Sequence, residues 1–255
     1  MLEGIDTGYE GKFDFPGRDR PPESAYLLAT VPRTGSTFLS HLLWRSGCLG
    51  APLEYLNFDP AGPYGFASRS TALQLQLWRS VLRRRTSPNG MFGIKCFPIQ
   101  LQALVEGNPE LMASVMSTIV PRTHPPRVVH LARRDRASHA VSYARATMSG
   151  IWRKEQERGG PAALEYSQAA VDTAERWLAG QEAAWDAMFR DLRIEPLRLV
   201  YEDVVERPQE AVARVASYLG VMLDPAATVD VPSIDKQSEA GAEGWAERYA
   251  ASKGA

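Results

Sequence analysis

The chain has 255 residues, 44% of them hydrophobic, with 29 Lys plus Arg against 30 Asp plus Glu and a formal charge of −1. That balance argues against a general polyanion binder, so no nucleic-acid partner is expected. Two cysteines, Cys48 and Cys96, exclude a disulfide framework, and with only four histidines a Cys/His zinc site is not expected either. No apolar run approaches the ~20 residues of a membrane span. Glu3, Asp6 and Glu10 fall where a secretory signal would need an apolar stretch. The expectation is a cytoplasmic protein with no membrane partner, and a chain this long can bury roughly 70–75% of its unfolded surface.

Residues 1–24 mix Gly, Pro, charge and three aromatics without a helical or strand period. They read as an extended arm, with Tyr9, Phe13 and Phe15 available to pack against the body or a partner chain. A continuous apolar run at 25–31 (AYLLATV) then meets PRTGST and a helical stretch. Short apolar runs bounded by Pro and Gly fit strands buried on both faces. Further runs follow at 91–95 (MFGIK), 127–132 (RVVHLA) and 196–202 (PLRLVYE).

Helical periods fill the gaps at 71–85, 137–149, 162–190 and 208–219. In the first, Leu73, Leu77, Trp78, Val81 and Leu82 share a face, and Arg83–Arg85 suit a helix C-terminus. In the third, Leu164, Trp177, Leu178, Trp185 and Phe189 are candidate buried positions. Strands alternating with helices predict an α/β, three-layer, P-loop-like fold with a central, mostly parallel sheet. Without repeats or low-complexity linkers, residues 25–255 read as one domain behind the arm.

The segment Pro32-Arg33-Thr34-Gly35-Ser36-Thr37 joins the first strand to the first helix. Gly35 permits a tight turn in which successive N–H groups converge on an anion at a helix N-terminus. Ser36 and Thr37 add hydroxyls, and Arg33 adds a positive charge. A Walker A loop would place a lysine before the Ser/Thr pair, and none stands there. Triphosphate chemistry also calls for magnesium. A sulfuryl group carries about one charge less than a phosphoryl group, so this loop suits a phosphosulfate better than ATP.

A second motif follows the third strand. Arg133, Arg134 and Asp135 lead into a helix carrying Ser138 and Ser142. A cation at a strand end with hydroxyls on the next helix makes a second anion pocket. Two such pockets on neighbouring strands suit a nucleotide phosphorylated at both ends of its ribose.

With both motifs in place, the chain resembles the sulfotransferases that use 3′-phosphoadenosine 5′-phosphosulfate (PAPS). More narrowly, it is similar to the bacterial family typified by trehalose 2-sulfotransferase. The resemblance rests on 32–56 (PRTGSTFLSHLLWRSGCLGAPLEYL), 88–95 (PNGMFGIK), 132–146 (ARRDRASHAVSYARA) with 151–153 (IWR), and 236–249 (KQSEAGAEGWAERY). It implies that Arg33, Thr34, Gly35, Ser36 and Thr37 hold the 5′-phosphosulfate. Arg133 and Ser142 would hold the 3′-phosphate with help from Ser138 and Arg134, and Lys236-Gln237 would close over the nucleotide. It further implies that Glu54, in a Pro-x-Glu-aromatic motif, is the general base.

The spacing independently allows Glu54 that position. A helix from Ser36 to Gly47 descends about 18 Å, and residues 47–54, if extended, climb back roughly 23 Å. Glu54 can then return to the C-terminal edge of the sheet, where open α/β sheets bind ligands. Arg33, and Lys95 at the end of the second strand, are candidates to offset charge on the departing phosphate. A lysine at that place also has a plain structural use, pairing with a carboxylate. His41 and His139 fall inside predicted helices and read as core or surface residues.

Pro32 stands where the family has a glutamine associated with sugar contact, and 59–87 diverges from the trehalose enzymes. The expected acceptor is therefore a small hydroxylated molecule, a sugar or another metabolite, with Tyr55, Asn57, Tyr64 and Phe66 as candidate lining residues. The arm could serve that acceptor site or a homodimer contact. Two alternatives stay open: a nucleotide kinase of the related fold group, and a nucleotide-binding protein without activity.

Overall fold

A computed structural model describes residues 6–152, 156, 164–233 and 244–253. The four apolar runs form β1 (Ser24–Ala29), β2 (Met91–Cys96), β3 (Val128–Ala132) and β4 (Leu197–Val200). All pair in parallel, in the order β2-β1-β3-β4. Side chains alternate between faces along a strand. Leu27 and Ala29 of β1 enter one apolar cluster, while Tyr26 and Leu28 enter a second on the opposite face. The predicted three-layer α/β architecture is thus the observed one.

Helix α1 (Ser36–Arg45) and α2 (Thr71–Arg84) precede β2. Two more, α3 (Pro98–Gly107) and α4 (Pro109–Ile119), connect β2 to β3. The next, α5 (Arg136–Ser149), packs against α6 (Gln168–Asp191). The fourth run ends sooner than its sequence suggests. Val200 closes β4 and Tyr201 opens α7 (Tyr201–Glu206), followed by α8 (Pro208–Leu219). The acidic first turn of α7, Glu202 and Asp203, suits a helix start. At the C-terminal end, α9 (Trp245–Lys253) is fastened to α6: the Tyr249 hydroxyl bonds Asp172 (2.8 Å) and Glu175 (3.1 Å).

Topology locates the ligand crevice. The chain runs from β1 outward to β2, then crosses to β3 on the other side of β1. That reversal opens a crevice at the C-terminal ends of β1 and β3, where doubly wound sheets bind ligands.

The arm lies on the body. Phe15 is buried, and Tyr9 and Phe13 pack against the same core. Its anchor is Arg85, which the run of arginines suggested was only a helix end. Arg83 and Arg84 do face solvent, but Arg85 turns inward at 3% side-chain exposure to pair with Asp14 Oδ1 at 2.9 Å. Its Nη1 donates to Gly8 O (2.9 Å) and its Nη2 to Glu10 O (3.2 Å), while the guanidinium sits 5.5 Å from the Trp44 ring centre. The Glu10 carboxylate accepts from the Thr7 hydroxyl (2.6 Å) and from the N–H groups of Thr7 and Gly8. Burial alone would push the Glu10 carboxyl up, but those hydrogen bonds hold it below its usual value.

Replacing Arg85 by Met takes the side-chain donor from Gly8 O and Glu10 O and leaves Asp14 with Arg84 alone, at 3.5 Å. The expected outcome is a loss of about 3 kcal/mol in urea unfolding, with residues 6–20 becoming protease-sensitive in the folded protein. An unchanged midpoint with an intact arm would contradict this role.

Candidate active site

The loop after β1 turns at Gly35, the N-cap of α1, with a φ of 73°. A Cβ there would stand 2.1 Å from Cε2 of Tyr201, so a positive φ and a close aromatic ring both demand glycine. The first N–H groups of α1, on Ser36 and Thr37, have no acceptor within the helix. Arg33 also has positive φ, 67°, which a non-glycine residue adopts only when its surroundings hold it.

The holding contacts come from the second motif. Ser142 Oγ accepts from Arg33 Nε at 3.1 Å, and Arg133 Nη1 reaches Arg33 O at 3.4 Å. His139 Nε2 lies 2.7 Å from Pro32 O. Arg33 Nη1 also donates to Trp152 O at 2.7 Å. The two anion motifs therefore meet at Arg33. Arg133 is largely buried beside the Tyr201 ring. Its Nε has no hydrogen bond among the described residues, and Glu202 Oε1 is 3.8 Å away. An under-satisfied buried guanidinium behind a loop of helix N-terminal amides fits a phosphorylated ligand.

Glu54 reaches the site by the predicted return path. Leu53 forms a parallel bridge to Ile94, and Lys95 N donates to Leu53 O at 3.1 Å, so residues 51–54 border β2. Lys95, at 2% side-chain exposure, then places its Nζ 3.0 Å from Glu54 Oε1, and also 3.0 Å from Thr37 Oγ1. Glu54 Oε2 accepts from Asn57 Nδ2 (3.1 Å) and Gln100 Nε2 (3.3 Å). Gln100 Oε1 caps the Phe97 N–H at 3.0 Å, which leaves the amide nitrogen to face Glu54. The Glu54 N–H donates to Tyr9 Oη of the arm at 3.1 Å. These groups border a cleft of about 1170 Å³, whose wall includes Thr7, Tyr9, Arg33, Ser36, Thr37, Glu54, Asn57, Gln100, Tyr143, Trp152 and Trp177.

Several sequence candidates sit elsewhere. Thr34 is fully buried and its hydroxyl bonds Thr30 and Val31 O, so only its backbone remains for a ligand. Arg134 points outward and pairs with Asp203 at 2.6 Å. The N–H groups of Arg134 and Asp135 are taken by the Glu202 carboxylate at 3.0 and 3.2 Å. The second motif therefore offers side chains rather than open amides. Ser138 lies one turn before Ser142 on α5, and its N–H is capped by Asp135.

Tyr55 is buried, stacked on Phe92, with its hydroxyl donated to Ala51 O; it belongs to the core and not to the cleft. Tyr64 packs on Tyr9 behind the cleft wall, and Phe66 projects into solvent at 66% exposure. Of the four acceptor candidates, Asn57 alone lines the cleft. Lys236 and Gln237 lie outside the described residues. Sequence reading named Tyr9 only as a packing aromatic of the arm, and it missed Gln100, Glu202 and the contact of His139, because each depends on pairing between distant segments.

Gly35→Ala forces the Tyr201 ring or the 33–37 loop to move, because the added Cβ has no room beside the ring. Binding of adenosine 3′,5′-bisphosphate (PAP), followed by calorimetry, is expected to weaken at least tenfold. Wild-type affinity in this variant would show that the loop tolerates a Cβ against Tyr201.

Over 256 aligned residues the chain is 26% identical to the trehalose 2-sulfotransferase of Mycolicibacterium smegmatis, covering 89% of this chain and 94% of that one. It is 27% identical to the trehalose 2-sulfotransferase of Mycobacterium tuberculosis, again over 89% and 94% of the two chains. Among solved structures, the sulfotransferase domain of a Synechococcus olefin synthase is 15% identical and superposes with a TM-score of 0.47, covering 91% of this chain and 86% of that one. No helix among the described residues is long and apolar enough to cross a membrane. The family model of the Stf0 sulphotransferases matches residues 25–252, nearly the whole length, and the chain belongs to that family.

Proposed function

We propose that this sulfotransferase moves a sulfuryl group from PAPS to a hydroxyl of a sugar-like small molecule, with Glu54 as general base. The observation that carries this reading is the chain of contacts Glu54–Lys95–Thr37, each link 3.0 Å, running from a carboxylate on the cleft wall to the first turn of the anion loop. Family membership supplies the reaction class, and the two relatives named as trehalose 2-sulfotransferases supply the sugar-like acceptor.

In this reading Ser36, Thr37 and Arg33 hold the phosphosulfate end of the donor, while Arg133 and Ser142 face its 3′-phosphate. The acceptor hydroxyl enters from the cleft, and its oxygen forms a bond to sulfur. The bond between sulfur and the bridging phosphate oxygen breaks, and its electron pair leaves with PAP. The hydroxyl proton goes to Glu54. Asn57 and Gln100 fix the carboxylate's orientation, which is what a general base needs for proton transfer in reach of the reacting atom. Lys95 sits between base and loop, where its charge can shift toward the leaving oxygen as the proton neutralises Glu54.

The cleft wall suits a polyhydroxylated acceptor. Beyond Glu54 it includes Thr7, Tyr9 and Asn57 with Phe58 and Trp177, and it also carries the charged Arg33, Asp59 and Arg69. Neutral donors and acceptors beside flat apolar faces match a ring bearing several hydroxyls. The arm contributes Thr7 and Tyr9 to that wall, so its proposed role is acceptor contact.

Glu54→Gln keeps the shape and an acceptor for Asn57 and Gln100, while it removes both the base and the charge that pairs with Lys95. Turnover is expected to fall on the order of 10²–10⁴-fold, with PAP affinity within about threefold of wild type. Radiolabelled PAPS offered with trehalose and a panel of mono- and disaccharides reads the turnover. Near-wild-type turnover would remove Glu54 from the mechanism. PAP is also expected to raise the melting temperature where ATP with magnesium does not; the reverse order would favour a kinase.

A further inference from the structure

The helix after β3 carries a buried histidine that the mechanism above does not use. His139 lies in the second turn of α5, 4% exposed, and its Nε2 is 2.7 Å from the carbonyl oxygen of Pro32. That carbonyl belongs to the peptide preceding Arg33. The peptide following Arg33 is held from the same side, by Arg133 Nη1 on Arg33 O at 3.4 Å. Both peptide planes flanking the left-handed Arg33 are thus gripped by the 133–142 segment, and Ser142 holds the side chain between them.

This arrangement answers a physical need. A non-glycine residue at a φ of 67° is strained and persists only where the surroundings over-determine it. With its planes released, Arg33 would relax to negative φ, and the N–H groups and guanidinium that make up the anion loop would turn away from a common centre. We propose that His139 is a positioning residue of the donor loop: its Nε2–H donates to Pro32 O and locks Arg33 in the conformation that binds the donor's phosphosulfate end.

The chemistry of the ring agrees. Burial pushes His139 down to about 4, with Arg133 and Arg33 nearby adding to the effect against the opposing pull of the Pro32 carbonyl. The imidazole is therefore neutral near pH 7, and the nitrogen facing a carbonyl must carry the one proton. Asp135 and Glu202 lie close on the same end of the helix, but both are engaged, with the Ser138 N–H and with the Arg134 and Asp135 N–H groups respectively. For what the loop holds, the inference rests on the donor reading; for how the loop is held, it does not.

The test uses two variants of the full chain. His139→Leu fills the space without a donor, and His139→Gln puts an amide N–H close to the position of Nε2. PAP binding by calorimetry is expected to weaken about tenfold in the Leu variant and to return within about threefold of wild type in the Gln variant. In the free proteins, the backbone amide resonances of residues 33–37 should shift in the Leu variant and largely recover in the Gln variant. A Leu variant with wild-type PAP affinity and unshifted loop amides would overturn the proposal. So would a Gln variant as impaired as the Leu variant on both readouts. If the wild-type protein leaves PAP unbound while the loop amides still separate Leu from Gln, the donor reading fails and the positioning role of His139 stands.

Discussion

A buried ammonium organises this molecule's reactive edge. Lys95 follows the side-chain alternation of β2, with Phe92, Ile94 and Cys96 in the apolar cluster on one face and Lys95 directed to the other, toward α1. At 2% exposure the charge is tolerable only if it is paired and hydrogen-bonded. Glu54 and Thr37 meet that demand, and doing so fixes the distance between a carboxylate carried in by residues 47–54 and the loop after β1. Removing Glu54 would leave the buried charge without its counter-ion, and removing Thr37 would cost it a hydrogen-bond acceptor. In the proposed mechanism, the position that makes Lys95 costly to fold is also the one that puts it beside the leaving phosphate.

The switch point between β1 and β3 places a second constraint next to the first. The loop after β1 and the segment after β3 are held to each other at Arg33 by Arg133, His139 and Ser142. Two elements that each looked like a separate anion site are mechanically one. Tyr201 seals the back of this junction: its ring fills the space beside Gly35 and lies 5.3 Å from the Arg133 guanidinium. The early end of β4 matters for that reason, since it puts Tyr201 and Glu202 at the crevice instead of extending the strand past it.

Much of the fold was legible because four short apolar runs, each bounded by Pro, Gly or charge, leave few alternatives to buried parallel strands. Length allowed the return of Glu54, as a helix down and an extended segment back, while the family resemblance picked that glutamate out. The helices α3 and α4 were overlooked although Pro98 and the Asn108-Pro109 pair carry start signals, a proline in the first turn and an Asn N-cap whose side chain accepts from Leu111 N. The acceptor wall was the least legible part. Residues 55–66 have no regular period, so nothing local tells that Tyr55 faces the core, that Tyr64 leans on the arm, or that Phe66 projects outward. Arg85, Gln100 and His139 act on segments far away in sequence, where composition carries no trace of the partner.

A crystal structure with PAP bound would test the role of the Glu54–Lys95–Thr37 chain most directly. The 5′-phosphate should lie within hydrogen-bond distance, about 2.7–3.2 Å, of Lys95 Nζ and the Thr37 N–H, with the 3′-phosphate on Arg133 and Ser142 and the Glu54 carboxylate facing the open cleft. A nucleotide seated away from Lys95, or a Glu54 carboxylate turned out of the cleft in that complex, would contradict it.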